Sequence, residues 1–568
     1  MTNLEKILVD KVYQIETDLL IIGGGSAGCM AAIRARELQP DLAIAIFEKG
    51  DIKYSGSIAR GMDALNIVSI PNLTTPELYV ESMGLSCQGV LDEPASYTMA
   101  TRSFALLKKL EGWGVHFPLD SSGNYRTLKY HVKGKFQTAM QEPDLKVMIS
   151  RRALAGRTKV FNRVMGIEIL LDDGRVSGAV GLNVRTGEMV VCKAKTIIVT
   201  SGGQARFSLP NSGYLYGVFD FPGNTGDGFM MCYRAGASLT GMEATQSPVL
   251  IKDANMPLLA ITVTRGARVL DFFNNIIMEN EVDNIHLMNE AHEKGHGPVR
   301  VRLSHLDESL IQEIEQILFT TERPVQERFF KNRGVDFRRD DIELWPTEHQ
   351  LCGGHGISGV RINEKAETGV PGLYAAGDVA SVPKQHLTGA FVFGEIAGEE
   401  AVKFMNRYPE NPILDRGKIE QEVEKRNQRA DTNREIDVRD IEYKVRRFIG
   451  DYVVGLKNEL KLKRWLQWAE VFRNELHEQT RAVDGHELSK TYEVENIVEC
   501  ASLSATASLE RKESRWGTSH RRIDYPDRDD DNYLCHIVLK KGEGPYDIKC
   551  SRAPVERMNT APKGEGRT

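Results

Sequence analysis

An α/β fold is predicted for this 568-residue chain by three observations. The stretch TDLLIIGGGSAGCMAAIRARELQ, from Thr17, passes from an apolar strand through a glycine triplet into a helix, and DLAIAIFEKG follows as a second strand. Strand, turn, helix and strand in that order make a βαβ unit. A second buried-strand signal, GLYAAGDVA, comes only at Gly372, and beyond about residue 415 the chain is dense in charge with apolar residues at helical spacing. The expected organisation is a Rossmann-like nucleotide-binding domain split by an inserted α+β capping domain, then a C-terminal helical domain and a tail. The nucleotide domain takes 1–244 and 351–412, the cap 245–350, the helical domain 413–545 and the tail, which reads as irregular, 546–568. Within the first part, TKVFNRVMGIEILLDDGRVSGAVGLNV and KAKTIIVTSGG alternate with polar turns and read as an antiparallel meander feeding a buried strand.

Composition narrows the function. Hydrophobic residues at 41% and charged residues at 27% suit a soluble globular protein. A net charge of −6 argues against nucleic acid or an anionic membrane as a partner. No apolar stretch reaches the roughly 18 residues of a membrane span. The first residues, MTNLEKILVDKVYQ, carry acids and lack the long apolar core of a secretory signal, so a cytoplasmic location is expected. The eight cysteines form no C-x-x-C pair, so no metal site, disulfide framework or iron–sulfur cluster is expected within the chain.

Gly23, Gly25 and Gly28 fit G-x-G-x-x-G between strand and helix. The first glycine permits the tight turn, the second lets backbone approach a pyrophosphate, and the third lets helix and strand pack closely. Ser26 and Ala27 open the helix, whose N–H groups and dipole face the phosphates. Glu48, twenty residues beyond Gly28 and followed by Lys49, ends the second strand where an acid meets ribose hydroxyls. NAD and FAD both remain open on these residues. TIIVTSGG then ends a strand at Gly202 and Gly203, GNTGDGFMMCYRAGA starts a helix at Asp227, and GLYAAGDVA sets Gly377 and Asp378 after a strand, where a carboxylate can hold a flavin's ribityl chain. Each is a common loop alone, and the ordered set favours FAD.

This set resembles the flavoprotein family of fumarate reductase, succinate dehydrogenase and L-aspartate oxidase over essentially the whole chain. RKESRWGTSHRRIDYPDRDDDNYLCH, from Arg511, is similar to that family's R-x-E-S-R-G-x-H-x-R-x-D-x-P-x-R-D-D segment, with Trp516 interposed. The branch it most resembles is the adenylylsulfate reductase α subunit. SGSIARGMDALN (55–66), GMEATQSPVLIKD (241–253) and LTGAFVFGEIAG (387–398) are similar to that subunit's flavin and substrate loops. The resemblance implies FAD contacts at Ser55, Gly56, Ser57 and Gly61, and at Thr388, Gly389 and Ala390. No histidine stands in the 55–61 loop, where covalent members link the flavin, so noncovalent FAD is implied.

The departures concern the substrate. The family's H-P-T triplet becomes Ser247-Pro248-Val249, its R-G-E-G-G becomes Arg265-Gly266-Ala267-Arg268-Val269, and its proton-donating arginine falls near Val282-Asp283. The two arginines that suit a nucleotide–sulfate anion in adenylylsulfate reductase become Thr245 and Leu250, which argues against sulfite and AMP. His349, in PTEHQLCGG, matches a family histidine. His349, Arg265 and His386 are the candidate catalytic residues, and Gln246, Ser247 and His355 the candidate substrate contacts, each weighed against a purely structural role. The resemblance implies an FAD oxidoreductase acting on a small, anionic metabolite, with electrons exchanged through a small ferredoxin-like iron–sulfur subunit. The alternatives are a true adenylylsulfate reductase, a fumarate/succinate-type or aspartate-oxidase-type enzyme, and a flavin electron-transfer subunit without catalysis of its own.

Overall fold

The computed structural model describes residues 12–210, 220–254, 256–279, 286–322 and 325–558. The apolar run before the glycines forms the end of β1 (Val12–Ile22), with helix α1 (Ser26–Leu38) behind it and β2 (Ile44–Glu48) parallel at its side. Leu19, Leu20 and Ile21 are fully buried, because both faces of this sheet are covered. Helix α2 (Leu145–Ala153) leads to β3 (Thr158–Asn162), which runs parallel to β2 instead of opening the meander expected from sequence. Arg163, at φ 66°, turns the chain between β3 and β4 (Val164–Asp172), so the antiparallel meander comprises β4, β5 (Arg175–Asn183) and β6 (Met189–Val199). The end of β6 returns beside β1 in parallel, and β7 (Leu373–Ala375), far along the chain, adds parallel to β6. The sheet order is β3-β2-β1-β6-β5-β4, with β7 on β6.

Helix α3 (His386–Arg407) crosses α1 with backbones nearly touching. A Cβ at Gly394 would lie 2.4 Å from the Ala27 carbonyl oxygen, and one at Gly398 would lie 2.6 Å from that of Ala31. Only hydrogen fits there, so two glycines one turn apart set the helix separation.

Residues 249–346 build a separate antiparallel sheet, in the order Val249–Ile251, Ile342–Pro346, Val299–Arg302, Arg268–Leu270, Ile276–Glu279. It has its own core, including Val263, Val299, Val301 and Leu344, all fully buried. Its first and last strands pair with each other, so the insertion leaves and rejoins the nucleotide fold at one seam. The helices expected after residue 415 form at Arg416–Arg429, Val438–Tyr452, Glu459–Asn474 and Gly485–Glu510. Val445, Trp465, Phe472 and Ile497 from these helices join the same apolar core as β1 and α1. Among the described residues no helix is long and apolar enough to cross a membrane.

The segment expected to be an irregular tail contains a strand. Ile548–Pro554 pairs along Cys535–Lys541, which in turn pairs with Leu239–Thr240. The open edge of Cys535–Lys541 offers backbone groups that need partners, and the next segment supplies them. Nearby, Glu513 accepts from Arg511 Nη1 and Arg515 Nε, both at 2.7 Å, while Arg511 Nε reaches Glu243 at 2.8 Å. All four side chains are buried. His520 lies in this cluster, with Nε2 3.3 Å from the Arg511 carbonyl.

Gly394→Val is expected to lower stability by about 1–3 kcal/mol through overpacking, seen as a lower Tm with the far-UV spectrum unchanged. His520 is held neutral well below its ordinary pKa by burial and by the charges of Lys457, Arg511 and Arg522. The unfolded chain therefore takes up a proton below pH of about 6.5 that the folded chain refuses, and stability falls as pH falls. Urea titrations from pH 7 to 5 are expected to show this loss, at a slope of up to about 1.4 kcal/mol per pH unit from this group. The slope is expected to be shallower in His520→Gln.

Candidate active site

A cavity of about 620 Å³ opens where β1, β2 and β6 end and runs under the residue 249–346 insertion. The glycine loop makes its floor. A Cβ at Gly23 would lie 2.4 Å from the Thr200 carbonyl, and one at Gly28 2.0 Å from that of Gly23, so both positions require glycine for packing. Gly25 differs: its Cβ would meet only Thr200 O at 3.9 Å, and the residue lines the cavity. Its open face is where a ligand phosphate can approach backbone.

The Gly24 peptide is gripped on both sides. Its N–H donates to Glu48 Oε2 at 2.8 Å, and Gly50 N–H donates to Glu48 Oε1 at 2.7 Å. Its carbonyl accepts from the buried Lys146 ammonium and lies 3.3 Å from Cys29 Sγ. Lys146, from α2, was not singled out in sequence, and nothing in LKVMISRRA marks one cation over another. Glu48 lines the cavity with lone pairs left for hydroxyl donors.

Other predicted cofactor residues divide into two groups. Ser26, Ala27, Gly56, Ser57, Gly61, Gly202, Gly377, Asp378 and Ala390 line the cavity. Gly28, Ser55, Gly203, Thr388 and Gly389 stand behind the wall: Ser55 Oγ donates to Asp51 O at 2.7 Å, Gly203 abuts Leu351 and Cys352, and Thr388 Oγ1 accepts from Ile67 N–H at 3.2 Å. Lys49 and Asp227 reach the cavity but pair with each other at 2.8 Å, and Lys49 also pairs with Glu493 at 2.7 Å. The Asp378 carboxyl is pushed up to about 7 by burial and by the charge of Asp220.

The buried polar atoms test whether a dinucleotide fits. Asn66 Oδ1, Gln137 Oε1 and Ser201 Oγ belong to cavity-lining residues and have no hydrogen-bond partner among the described residues. Buried polar groups without partners are costly, and a hydroxyl- and phosphate-bearing ligand would supply partners. Glu48, the N-terminus of α1 and Asp378 line this one cavity, and their chemistry would suit an adenosine ribose, a diphosphate and a ribityl chain, so the residues fit FAD.

The substrate candidates separate. His355 and His386 meet in the cavity with ring centroids 5.1 Å apart, and Tyr130 packs on His386 at 5.6 Å. His355 Nε2 lies 3.7 Å from Asp220 Oδ1, and Ser57 Oγ donates to the same carboxylate oxygen at 3.2 Å. Burial, with His355, His131 and Lys384 nearby, holds His386 well below its ordinary pKa, and its Nε2 has no partner among the described residues. Gln246 and Ser247 line the same cavity, and Gln246 Nε2 donates to His355 O at 2.6 Å.

His349 is not among the lining residues. Its backbone N–H donates to Ser208 Oγ at 2.8 Å, its Nδ1 lies 3.3 Å from that oxygen, and burial beside Lys457 takes its pKa down to about 3. Arg265 also lies outside the lining, holding Glu313 at 2.6 Å and Ile261 O at 2.8 Å. Val282-Asp283 lies outside the described residues. Asp220, Lys384, Asp63 and Tyr130 line the cavity without having been singled out in sequence. Lys384 sits two residues before His386, which was the one available signal.

Comparison with known proteins matches residues 18–391 to the FAD binding domain family and residues 444–566 to the fumarate reductase flavoprotein C-terminal family. An uncharacterized FAD-dependent oxidoreductase of Methanocaldococcus jannaschii is 27% identical, covering 93% of this chain and 96% of the relative. A fumarate reductase (CoM/CoB) subunit from Methanothermobacter marburgensis is 26% identical, covering 90% and 95%. Adenylylsulfate reductase from Archaeoglobus fulgidus has the same fold, with a TM-score of 0.87 at 23% identity over 96% of this chain and 97% of that one.

Lys146→Met is expected to cost about 1.5–3 kcal/mol of cofactor binding, the worth of a hydrogen bond from a charged group. Fluorescence titration of the apoprotein with FAD is the measurement, with Kd raised roughly ten- to a hundredfold and Lys146→Arg nearer to the parent.

Proposed function

The chain belongs to the fumarate reductase/succinate dehydrogenase flavoprotein family and is an FAD-dependent oxidoreductase, and on that premise we propose that it oxidises or reduces a small anionic metabolite held between the 1–244 and 351–412 parts and the 245–350 cap. The observation that carries this reading is the shared cavity: Glu48 and Asp378 on the cofactor side open into the same space as His355, His386, Gln246 and Ser247. FAD, held there noncovalently, supplies hydride or electron transfer at its N5. The chain's own residues bind and orient the substrate and manage its proton. His355, steadied by Asp220, can hold a proton at Nε2, the nitrogen facing that carboxylate. His386, kept neutral by burial, presents an unpaired Nε2 as a hydrogen-bonding group at the cavity wall. The cap residues Pro257, Leu258 and Leu259 close the space with apolar surface and exclude water.

A second reading, adenylylsulfate reduction, draws on the fold likeness at a TM-score of 0.87. Against it stand the apolar Leu250 in the cavity wall and the absence of any arginine among the described lining residues. Electron exchange through an iron–sulfur subunit is the companion proposal. The eight cysteines here are unpaired and scattered, and one relative is named as part of a larger assembly.

Anaerobic flavin spectroscopy with a panel of dicarboxylates, monocarboxylates, hydroxy acids, amino acids and sulfur oxyanions tests the reading. One or more organic acids are expected to change the flavin's redox state, and sulfite with AMP is expected to leave it unchanged. His355→Asn is expected to slow that reaction by about 10²–10⁴-fold while reduction by dithionite stays at the parent rate. Equal slowing of both would count against a proton role.

A further inference from the structure

Two buried amides line the cavity with hydrogen-bonding atoms unused. Gln350 is 1% exposed, and neither its Oε1 nor its Nε2 has a partner among the described residues. Asn289, from the cap helix His286–Glu293, is 8% exposed, and its Oδ1 likewise has none among them. Buried polar atoms are seldom left unsatisfied in a native fold, so each marks a bond for a ligand to complete.

The two amides flank one short segment. Gln246 N–H donates to Gln350 O at 3.0 Å and Gln350 N–H donates to Gln246 O at 2.8 Å, so their side chains leave the same face of an antiparallel pair. Asn289 Nδ2 donates to Ser247 O at 3.0 Å. That bond fixes the orientation of the Asn289 amide, because only its NH2 can face a carbonyl, and it leaves Oδ1 as an acceptor. Gln246 Nε2 is spent on His355 O at 2.6 Å. The unused set beside Gln246 and Ser247 is therefore two acceptors, Gln350 Oε1 and Asn289 Oδ1, and one donor group, Gln350 Nε2.

A carboxylate matches this set badly. It brings only acceptors, so it takes the Gln350 donor and leaves both acceptors facing oxygen. A primary carboxamide matches it bond for bond: its two N–H groups serve the two acceptors, and its carbonyl takes Gln350 Nε2. The surroundings also favour a neutral group. No arginine stands among the described lining residues, Lys49 is matched by Asp227 and Glu493, and Lys384 is tied to Ser86.

Resting on the reading above, we propose that Gln350 and Asn289 form a substrate subsite for a neutral carboxamide, so that the small anionic substrate carries an amide at one end. The flavin's own pyrimidine ring bears a similar N–H and C=O edge, and the test separates the two sources. It uses the FAD-loaded protein and two probes of one shape, fumarate and its monoamide fumaramate. Kd is read by calorimetry and by perturbation of the oxidised flavin spectrum. Fumaramate is expected to bind at least about tenfold more tightly than fumarate, since a site built to bond N–H groups rejects the analogue that lacks them. Gln350→Met is expected to weaken fumaramate by about tenfold or more and fumarate less than about twofold, so that the preference is lost. Asn289→Leu is expected to weaken fumaramate in the same sense, and it carries the test if the methionine variant does not fold. Circular dichroism reports folding, and titration of each apoprotein reports its Kd for FAD. Fumarate binding as tightly as fumaramate, or no binding of fumaramate, in the FAD-loaded parent overturns the subsite alone. So does a Gln350→Met protein that folds, binds FAD more weakly and ranks the probes as the parent does, because the amide then serves the cofactor. A parent protein that does not take up FAD overturns the reading on which the subsite rests.

Discussion

The contact on which the rest of this structure depends is the one between the turn at Gly23 and the end of β6 at Thr200. Thr200 N–H donates to Ile22 O at 2.8 Å, and Thr200 Oγ1 donates to Gly23 O at 2.6 Å. Gly23 and Gly28 leave no room for Cβ, so two strand ends and a helix start meet at backbone distance. Everything in the cofactor half of the cavity is measured from this junction. Glu48 reaches Gly24 because β2 is in register with β1, and Asp378 enters because β7 is in register with β6.

Charge is distributed unevenly around that junction. Cations near the cavity are already partnered: Lys146 with the Gly24 carbonyl, Lys49 with two carboxylates, Arg265 with Glu313. Carboxylates are less fully matched, and Asp378 and Asp220 crowd each other enough to raise the Asp378 pKa. A site so arranged suits hydroxyl-bearing ligands and few negative charges. It differs from a pocket built on arginine forks, which binds dianions bidentately.

Much of the candidate cofactor site was legible in the sequence because it is local. Gly23, Gly25 and Gly28 lie within one turn, and Glu48 follows at a spacing set by one helix and one strand. Asp378 was legible because its strand is short, apolar and followed by a turn. The substrate side was less so. The P-T-x-H frame pointed to His349, yet Ser208, 141 residues earlier, takes both its backbone and its ring. Arg265 was drawn aside by Glu313 on another cap element. Asp220, Lys146 and Lys384 act across separations of more than 100 residues, as in Lys146 to Gly24, and no periodicity encodes such pairings. The strand at Ile548–Pro554 was missed for a related reason: it forms only because another strand leaves an edge to pair with.

The glycine-tight crossing of α1 and α3 has a mechanical consequence. One helix begins at the glycine loop and the other at His386, both in the cavity wall, so their tightly packed backbones act as a caliper whose two jaws reach the same cavity. A side chain added at Gly394 or Gly398 would open the caliper by prying at its pivot. Cofactor grip and the placement of the His386 ring would then drift together, although neither residue had been touched.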